Sequence, residues 1–179
     1  GEKLAELSKD VEFDVLDTAD NVAAEVTGSN VASDLDEANK VVVSGGDVTA
    51  ADAAAIQAIS GYNDSASDYD ITDTAAALIS ATDSVLDKAG VDTVSVTGGP
   101  VDADTGEKLA ELSKDVAFDV LDTADNVAAE VTGIGNTLDD LDEAADVVVS
   151  GGDVSTAEAA AIQQISEYND SASDYDITD

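Results

Sequence analysis

The stretch VEFDVLDTADNVAAE at residues 11–25 returns at 116–130 with a single change, Glu12 against Ala117. It belongs to a longer duplication in which 1–28 matches 106–133, 41–48 matches 147–154 and 62–73 matches 168–179. The offset is 105 residues and becomes 106 after an extra residue near position 134. Inside the duplication runs a shorter period. Strand-like stretches place their first core residue at Phe13, Val41, Tyr69, Val94, Phe118, Val147 and Tyr175, at spacings of 28, 28, 25, 24, 29 and 28 residues. A coil of roughly 27 residues is too small to bury a core alone, so it must stack on neighbours of its own kind.

Each stretch alternates apolar and polar residues, as in Phe13 and Val15, Tyr69 and Ile71, or Val94 and Val96, which marks a strand with one buried face. Helical spacing fills the intervals: Leu4, Leu7 and Val11; Ile56 and Ile59; Leu78 with Val85 and Ile79 with Leu86; Val127 with Val131. Capping boxes at Thr49-Ala-Ala-Asp52 and Ser155-Thr-Ala-Glu158 announce two helix starts. A strand, a crossover helix and a further strand require parallel pairing. The expected fold is therefore an α/β solenoid of about seven strand-helix coils of ~27 residues, with one parallel sheet and a layer of Ala-rich helices. Residues 1–179 are read as a single solenoid segment with an internal duplication, 1–73 and 106–179. Neither end reads as a capping coil and the chain opens without Met, so the expectation is a segment excised from a longer array.

The coils alternate in kind. One kind ends its strand in Asp-Thr, at Asp17, Asp73, Asp122 and Asp179; the other ends it in Gly-Gly, at 45–46, 98–99 and 151–152. With the first core residues in register, Asp14, Val42, Asp70, Ser95, Asp119, Val148 and Asp176 would form one outward column, so that carboxylates in adjacent coils are kept apart.

Charge narrows the partners. Six Lys, no Arg and 41 acidic residues give a formal net charge of -35, which repels nucleic acid and anionic lipid alike. No apolar run reaches the ~20 residues that span a bilayer, so no membrane insertion is expected. Cys, His, Met and Trp are absent, which removes disulfides, thiolate metal sites and imidazole chemistry. With 44% hydrophobic residues but only 3% aromatics, the core must be thin and built from Ala, Val, Leu and Ile.

The strand-Asp-Thr-Ala-helix run YDITDTAAALISATDSVLDKAGVDTVSV at 69–96 resembles the Ala/Asp/Thr-rich tandem repeats of large secreted bacterial surface and adhesin-like proteins, associated with type I secretion and RTX modules. The coil length is similar to that of leucine-rich-repeat solenoids. The resemblance implies an extracellular or cell-surface setting and a structural role. The RTX nonapeptide itself is missing, because SGGDVT at 44–49 has the glycines and an Asp at the wrong spacing, so its calcium roll does not carry over.

Asp is a hard oxygen donor, and calcium needs 6–8 oxygens. The densest acidic stretch, NDSASDYD at 63–70 and 169–176, makes Asp64, Asp68, Asp70, Asp170, Asp174 and Asp176 the candidate calcium ligands. The competing reading is a solvated helix-to-strand turn in which Asp, Asn and Ser bond the local backbone. No catalytic residue is expected, because similar acids stand in nearly every coil and none is singular. The functional expectation is a non-enzymatic spacer or self-assembly segment, its partners being neighbouring repeats of the same chain or other copies. The alternative is a glycan-binding or glycan-cleaving solenoid that uses sheet-face carboxylates such as Asp17 with Asp73.

Overall fold

The computed structural model describes residues 12–28, 33–133 and 141–178. The helical pattern at Leu4, Leu7 and Val11, and Asp179, lie outside these residues. The chain divides into two compact units, Gly1–Asp73 with Ser80–Val94, and Thr74–Ile79 with Ser95–Asp179.

The fold is α/β with strands laid down as neighbours in chain order. One sheet has five strands: β1 (Asp14–Asp17), β2 (Lys40–Val48), β3 (Asp68–Asp73), β4 (Val91–Val96) and the two-residue β5 (Val116–Ala117). Another has three: β6 (Asp119–Asp122), β7 (Asp146–Val154) and β8 (Asp174–Ile177). β1 pairs with β2, β2 with β3, β6 with β7 and β7 with β8, all parallel, as the crossover helices demand. Helices Ala19–Thr27 and Ala50–Gln57 follow β1 and β2, and Ala124–Thr132 and Thr156–Ile162 occupy the equivalent places after β6 and β7.

Small residues let the helices approach closely. Ala19, Val22 and Ala23 of one helix and Ala50, Ala53 and Ile56 of the next are buried, and the two helices pack side by side. Beneath them Val41 and Val43 of β2 are fully buried, as are Tyr69 and Ile71 of β3. Each fully buried Val, Leu or Ile contributes about 1.5–3 kcal/mol relative to exposure. Of the core positions read from the period, Val41, Tyr69, Val94, Phe118 and Val147 are buried, whereas Phe13 and Tyr175 are only half-buried.

Three expectations need correction. The Gly-Gly pairs at 45–46 and 151–152 do not end their strands. Gly45 and Gly46 take φ of 70° and 96°, and β2 runs through them to Val48 with a shift of register, as β7 does through Gly151 and Gly152. A positive φ is cheap only for glycine, so the pair turns the strand without stopping it.

The register is also different from the one expected. Val15 lies beside Val41 and Asp14 beside Lys40, and beyond the bulge Asp47 lies beside Asp70. The second copy repeats this with Asp119 beside Asp146 and Asp153 beside Asp176. Acidic residues therefore do become neighbours. Aligning buried valines is worth about 1.5–3 kcal/mol each, against a few tenths to 1 kcal/mol for like charges facing each other across solvent-exposed strands, so the apolar register wins.

The interval after β3, which has one helical pattern linking Leu78 with Val85 and Ile79 with Leu86, holds two short helices, Ala75–Ser80 and Asp83–Leu86. Thr82 stands between them in extended conformation as the second N-cap. Side-chain periodicity cannot register such a break, because apolar residues on both sides of it, Leu78 and Leu86, are buried.

Candidate functional site

The carboxylates fall into three geometric groups. The first sits at strand ends. Asp17 Oδ1 accepts hydrogen bonds from Thr18 N at 2.8 Å and Asn21 Nδ2 at 2.7 Å, and these bonds, Asn21 foremost, hold its carboxyl below the usual range. Asp122 Oδ1 accepts from Thr123 N and Asn126 Nδ2, both at 2.7 Å, while its other oxygen accepts from Ala103 N at 3.0 Å. Asp73 Oδ2 accepts from Ala50 N at 3.1 Å. The Asp-Thr strand ending is thus a helix-capping device: an acceptor placed at free N-H groups and at the positive end of the helix dipole. Of the two capping boxes, Ser155 and Glu158 complete the reciprocal exchange. Asp52 does not reach the Thr49 N-H and instead accepts from the Thr49 hydroxyl at 2.8 Å, its side chain being one methylene shorter than that of Glu.

The second group contains the candidate calcium ligands. Asp64 opens the 3-10 turn Asp64–Ala66, and its two oxygens accept from Gly90 N at 2.9 Å and Ala89 N at 3.2 Å. Asp70 Oδ1 accepts from Thr93 N at 3.0 Å and from the Thr93 hydroxyl at 2.5 Å. Asp68 is exposed. The turn therefore directs Asp64 and Asp70 toward the backbone of the following coil. Their counterparts Asp170, Asp174 and Asp176 are all exposed.

The same turn holds a serine whose reach to the neighbouring strand the sequence reading missed. Ser67 Oγ accepts from Val43 N at 3.1 Å and donates to Asn63 O at 2.8 Å, and Ser173 does the same with Val149 N and Asn169 O at 3.0 and 2.8 Å. Each satisfies a backbone donor of the neighbouring strand just before its bulge. Asp36 and Asp142 were missed as well; each accepts from a serine N-H 24 residues on, Ser60 at 2.7 Å and Ser166 at 2.6 Å. Their recurrence at a fixed distance before Ser60 and Ser166 is the signal that could have found them.

The third group forms an acidic cleft of about 300 Å³ in the second unit, lined by Asp102, Asp104, Asp122, Asn126, Ala129 and Glu130. Oxygens of Asp104, Glu107 and Glu130 lie within 4.8 Å of one another, the one such trio among the described residues. Helix Ala103–Ala110 supplies the first two from adjacent turns and helix Ala124–Thr132 the third. Burial first, then the neighbouring Glu107 carboxyl, raises the Glu130 pKa above the usual range. Lys108 pairs with Asp104. Asp102 caps its own helix through Thr105 N at 2.8 Å, which keeps its carboxyl below the ordinary range. Chemically the trio can share a proton or attract a cation. The sequence reading missed this trio; the i, i+3 spacing of Asp104 and Glu107 is a signal that could have found that pair, but no local pattern places Glu130 beside them.

No helix among the described residues is long and apolar enough to cross a membrane. No protein-family model, curated protein or solved structure matches the chain.

Proposed function

We propose that the chain is a non-enzymatic structural repeat segment of an extracellular surface protein, adhesin or fibre, stacked as a solenoid of ~27-residue coils and acting as a spacer or self-assembly module. The observation that carries this reading is the fate of the carboxylates. Asp36, Asp64, Asp70, Asp73, Asp122 and Asp142 each accept a backbone N-H from 19 to 26 residues away, one coil up or down the chain. Catalysis calls for one distinctive and uncommitted constellation, and these acids are repeated and occupied by the backbone.

The test is to insert further copies of the 105-residue period and follow the particle by small-angle scattering. Stacking adds four strands per period, so the length should grow by roughly 19 Å at constant cross-section. Separate beads on a string, with no common cross-section, would contradict it. Calcium enters the reading as a stabiliser of the acidic turns. Melting temperature should rise saturably with Ca²⁺ at fixed ionic strength and more than with Mg²⁺, and Asp-to-Asn changes at 64, 68, 170 and 174 should remove that increment. Equal responses to the two ions would restrict the acids to backbone capping. The glycan reading rests on Asp17 and Asp73, both engaged at helix starts. Glycan hydrolysis that disappears in Asp17→Asn or Asp73→Asn would replace the structural role.

A further inference from the structure

Asn63-Asp64-Ser65 and Asn169-Asp170-Ser171 each carry the Asn-x-Ser/Thr pattern of an N-glycan acceptor. A tripeptide decides nothing by itself; its geometry does. The first copy lies where the chain leaves the parallel bridge of Tyr62 to Val41 and enters the 3-10 turn Asp64–Ala66, with Ser65 and Ala66 exposed and Asn63 half-buried. Asn63 N donates to Val41 O at 2.8 Å, and Asn63 O accepts from Ser67 Oγ at 2.8 Å. The main chain of Asn63 is anchored, and its side chain is a separate matter.

That side chain is set by the serine of the pattern. Ser65 Oγ donates to Asn63 Oδ1 at 3.2 Å, and Ser171 Oγ donates to Asn169 Oδ1 at 2.9 Å. A hydroxyl on Oδ1 orients the carboxamide and leaves Nδ2 as its other end. In the second copy that end is taken, for Asn169 Nδ2 donates to Asp146 Oδ2 at 3.3 Å. In the first copy Lys40 stands in place of Asp146, beside Asp14 as Asp146 is beside Asp119, and an ammonium group accepts no hydrogen bond. Among the described residues nothing accepts from Asn63 Nδ2, and no buried side-chain nitrogen lacks a partner, so Asn63 Nδ2 meets solvent. The middle residue is drawn aside as well. Asp64 accepts from Gly90 N at 2.9 Å and Ala89 N at 3.2 Å, which occupies a carboxylate that would otherwise repel an anionic glycan donor.

We propose that Asn63 is an N-glycan acceptor in the folded chain, with Asn169 a slower one. The donor is a glycan linked through its C1 to a polyprenyl diphosphate. The Nδ2–C1 bond forms as the C1–O bond to the diphosphate breaks; the polyprenyl diphosphate leaves with the bonding pair, and one Nδ2 proton passes to a base of the transferase. Nothing is oxidised or reduced. The inference rests on the extracellular setting proposed above, where such acceptors stand on surface turns.

The folded 179-residue chain is incubated with a purified single-subunit oligosaccharyltransferase and a polyprenyl-diphosphate-linked glycan, and each asparagine is followed by peptide mass spectrometry. Transfer to Asn63 should exceed transfer to Asn169 by about 5-fold, the weight of one hydrogen bond that Asn169 Nδ2 must first release. Asp146→Lys should remove that difference. Ser65→Ala should lower transfer at Asn63 about 10-fold or more, whereas Ser65→Thr, which keeps the hydroxyl, should match the parent chain. Ser65 is exposed, so both variants fold. Absence of transfer to the folded chain while a free peptide of residues 60–68 is modified overturns the proposal. So does transfer to Asn169 alone, or transfer at Asn63 that Ser65→Ala leaves intact. If transfer fails while the lengthened arrays still grow by stacking, only the acceptor site is lost.

Discussion

The two copies of the duplication share sequence over long stretches and differ in what lies against them. In the first, β3 is covered, while in β1 Leu16 is 72% exposed and Val15 half-buried. In the second, the relation is reversed: helix Ala103–Ala110 packs against β6, Val120 is 1% exposed and Phe118 4%, while Ile177 of β8 stands 54% in solvent. Gly106 shows how close that packing is, since a Cβ there would lie 3.0 Å from Val120 Cγ2 and 3.2 Å from Phe118 Cε2. Identical residues thus occupy core and surface within one chain. A coil in this architecture has no burial of its own; its neighbours confer it.

The largest test of that difference is at the isoleucines. Ile71→Ala should cost about 2–5 kcal/mol in urea or guanidinium unfolding, because it empties a site fully enclosed by packed neighbours. Ile177→Ala should stay within about 0.5 kcal/mol of wild type, as surface substitutions do. Equal losses would mean that the two copies are equally covered in solution and would break the comparison.

A smaller contrast is expected at the carboxylates. Asp64→Ala leaves the Ala89 and Gly90 N-H groups without their acceptor and should cost about 1–3 kcal/mol. Asp170→Ala, at an exposed position, should change stability by less than about 0.5 kcal/mol. A large effect at Asp170 would reveal a partner for that turn in the free chain.

The smallest effect concerns the acidic cleft, and its sign follows from linkage. Glu130 has a raised pKa in the folded chain, from burial and from Glu107, so the folded state holds the proton more tightly than the unfolded state. Stability from this group is present below the ordinary Glu pKa of 4.5 and is lost as pH rises through the raised value. Glu130→Gln should therefore raise the urea midpoint relative to wild type at neutral pH, with the gain vanishing below pH ~4. The matched Glu25→Gln sets the baseline for the other copy. A gain independent of pH would assign the effect to packing rather than to charge.

The phenols are shifted in the same direction in both copies. Burial, with the adjacent Tyr69 hydroxyl, holds the Tyr62 phenol far above its usual range, and burial with Tyr175 pushes Tyr168 up to about 12.

Much of the fold is legible in the sequence because it is governed by short-range rules. Alternation identified the strands around Val41, Tyr69 and Val147; the Asp-Thr endings and the Ser155–Glu158 box marked helix starts; the ~27-residue period implied parallel pairing through crossovers. Each rule operates over a few residues along the chain, where bonded geometry fixes what can meet. The helix break at Thr82 escaped because apolar residues on both sides of it, Leu78 and Leu86, are buried.

The sequence by itself determined that there would be repeated strand-helix coils, a thin aliphatic core and a surface crowded with acids. Tertiary structure decided the register of β1 on β2, Val15 against Val41 rather than Phe13, and it decided that Gly45 and Gly46 bend β2 and shift its register on β3 rather than end it. It decided that Asp64 and Asp70 reach the backbone of the next coil, and that Asp104, Glu107 and Glu130 converge from two helices. It also decided that Ile71 is core while Ile177 is surface. The physical reason is common to all of these: hydrogen bonding and burial between residues ~25 apart depend on which coil is stacked above, and identical sequence carries no record of its neighbour.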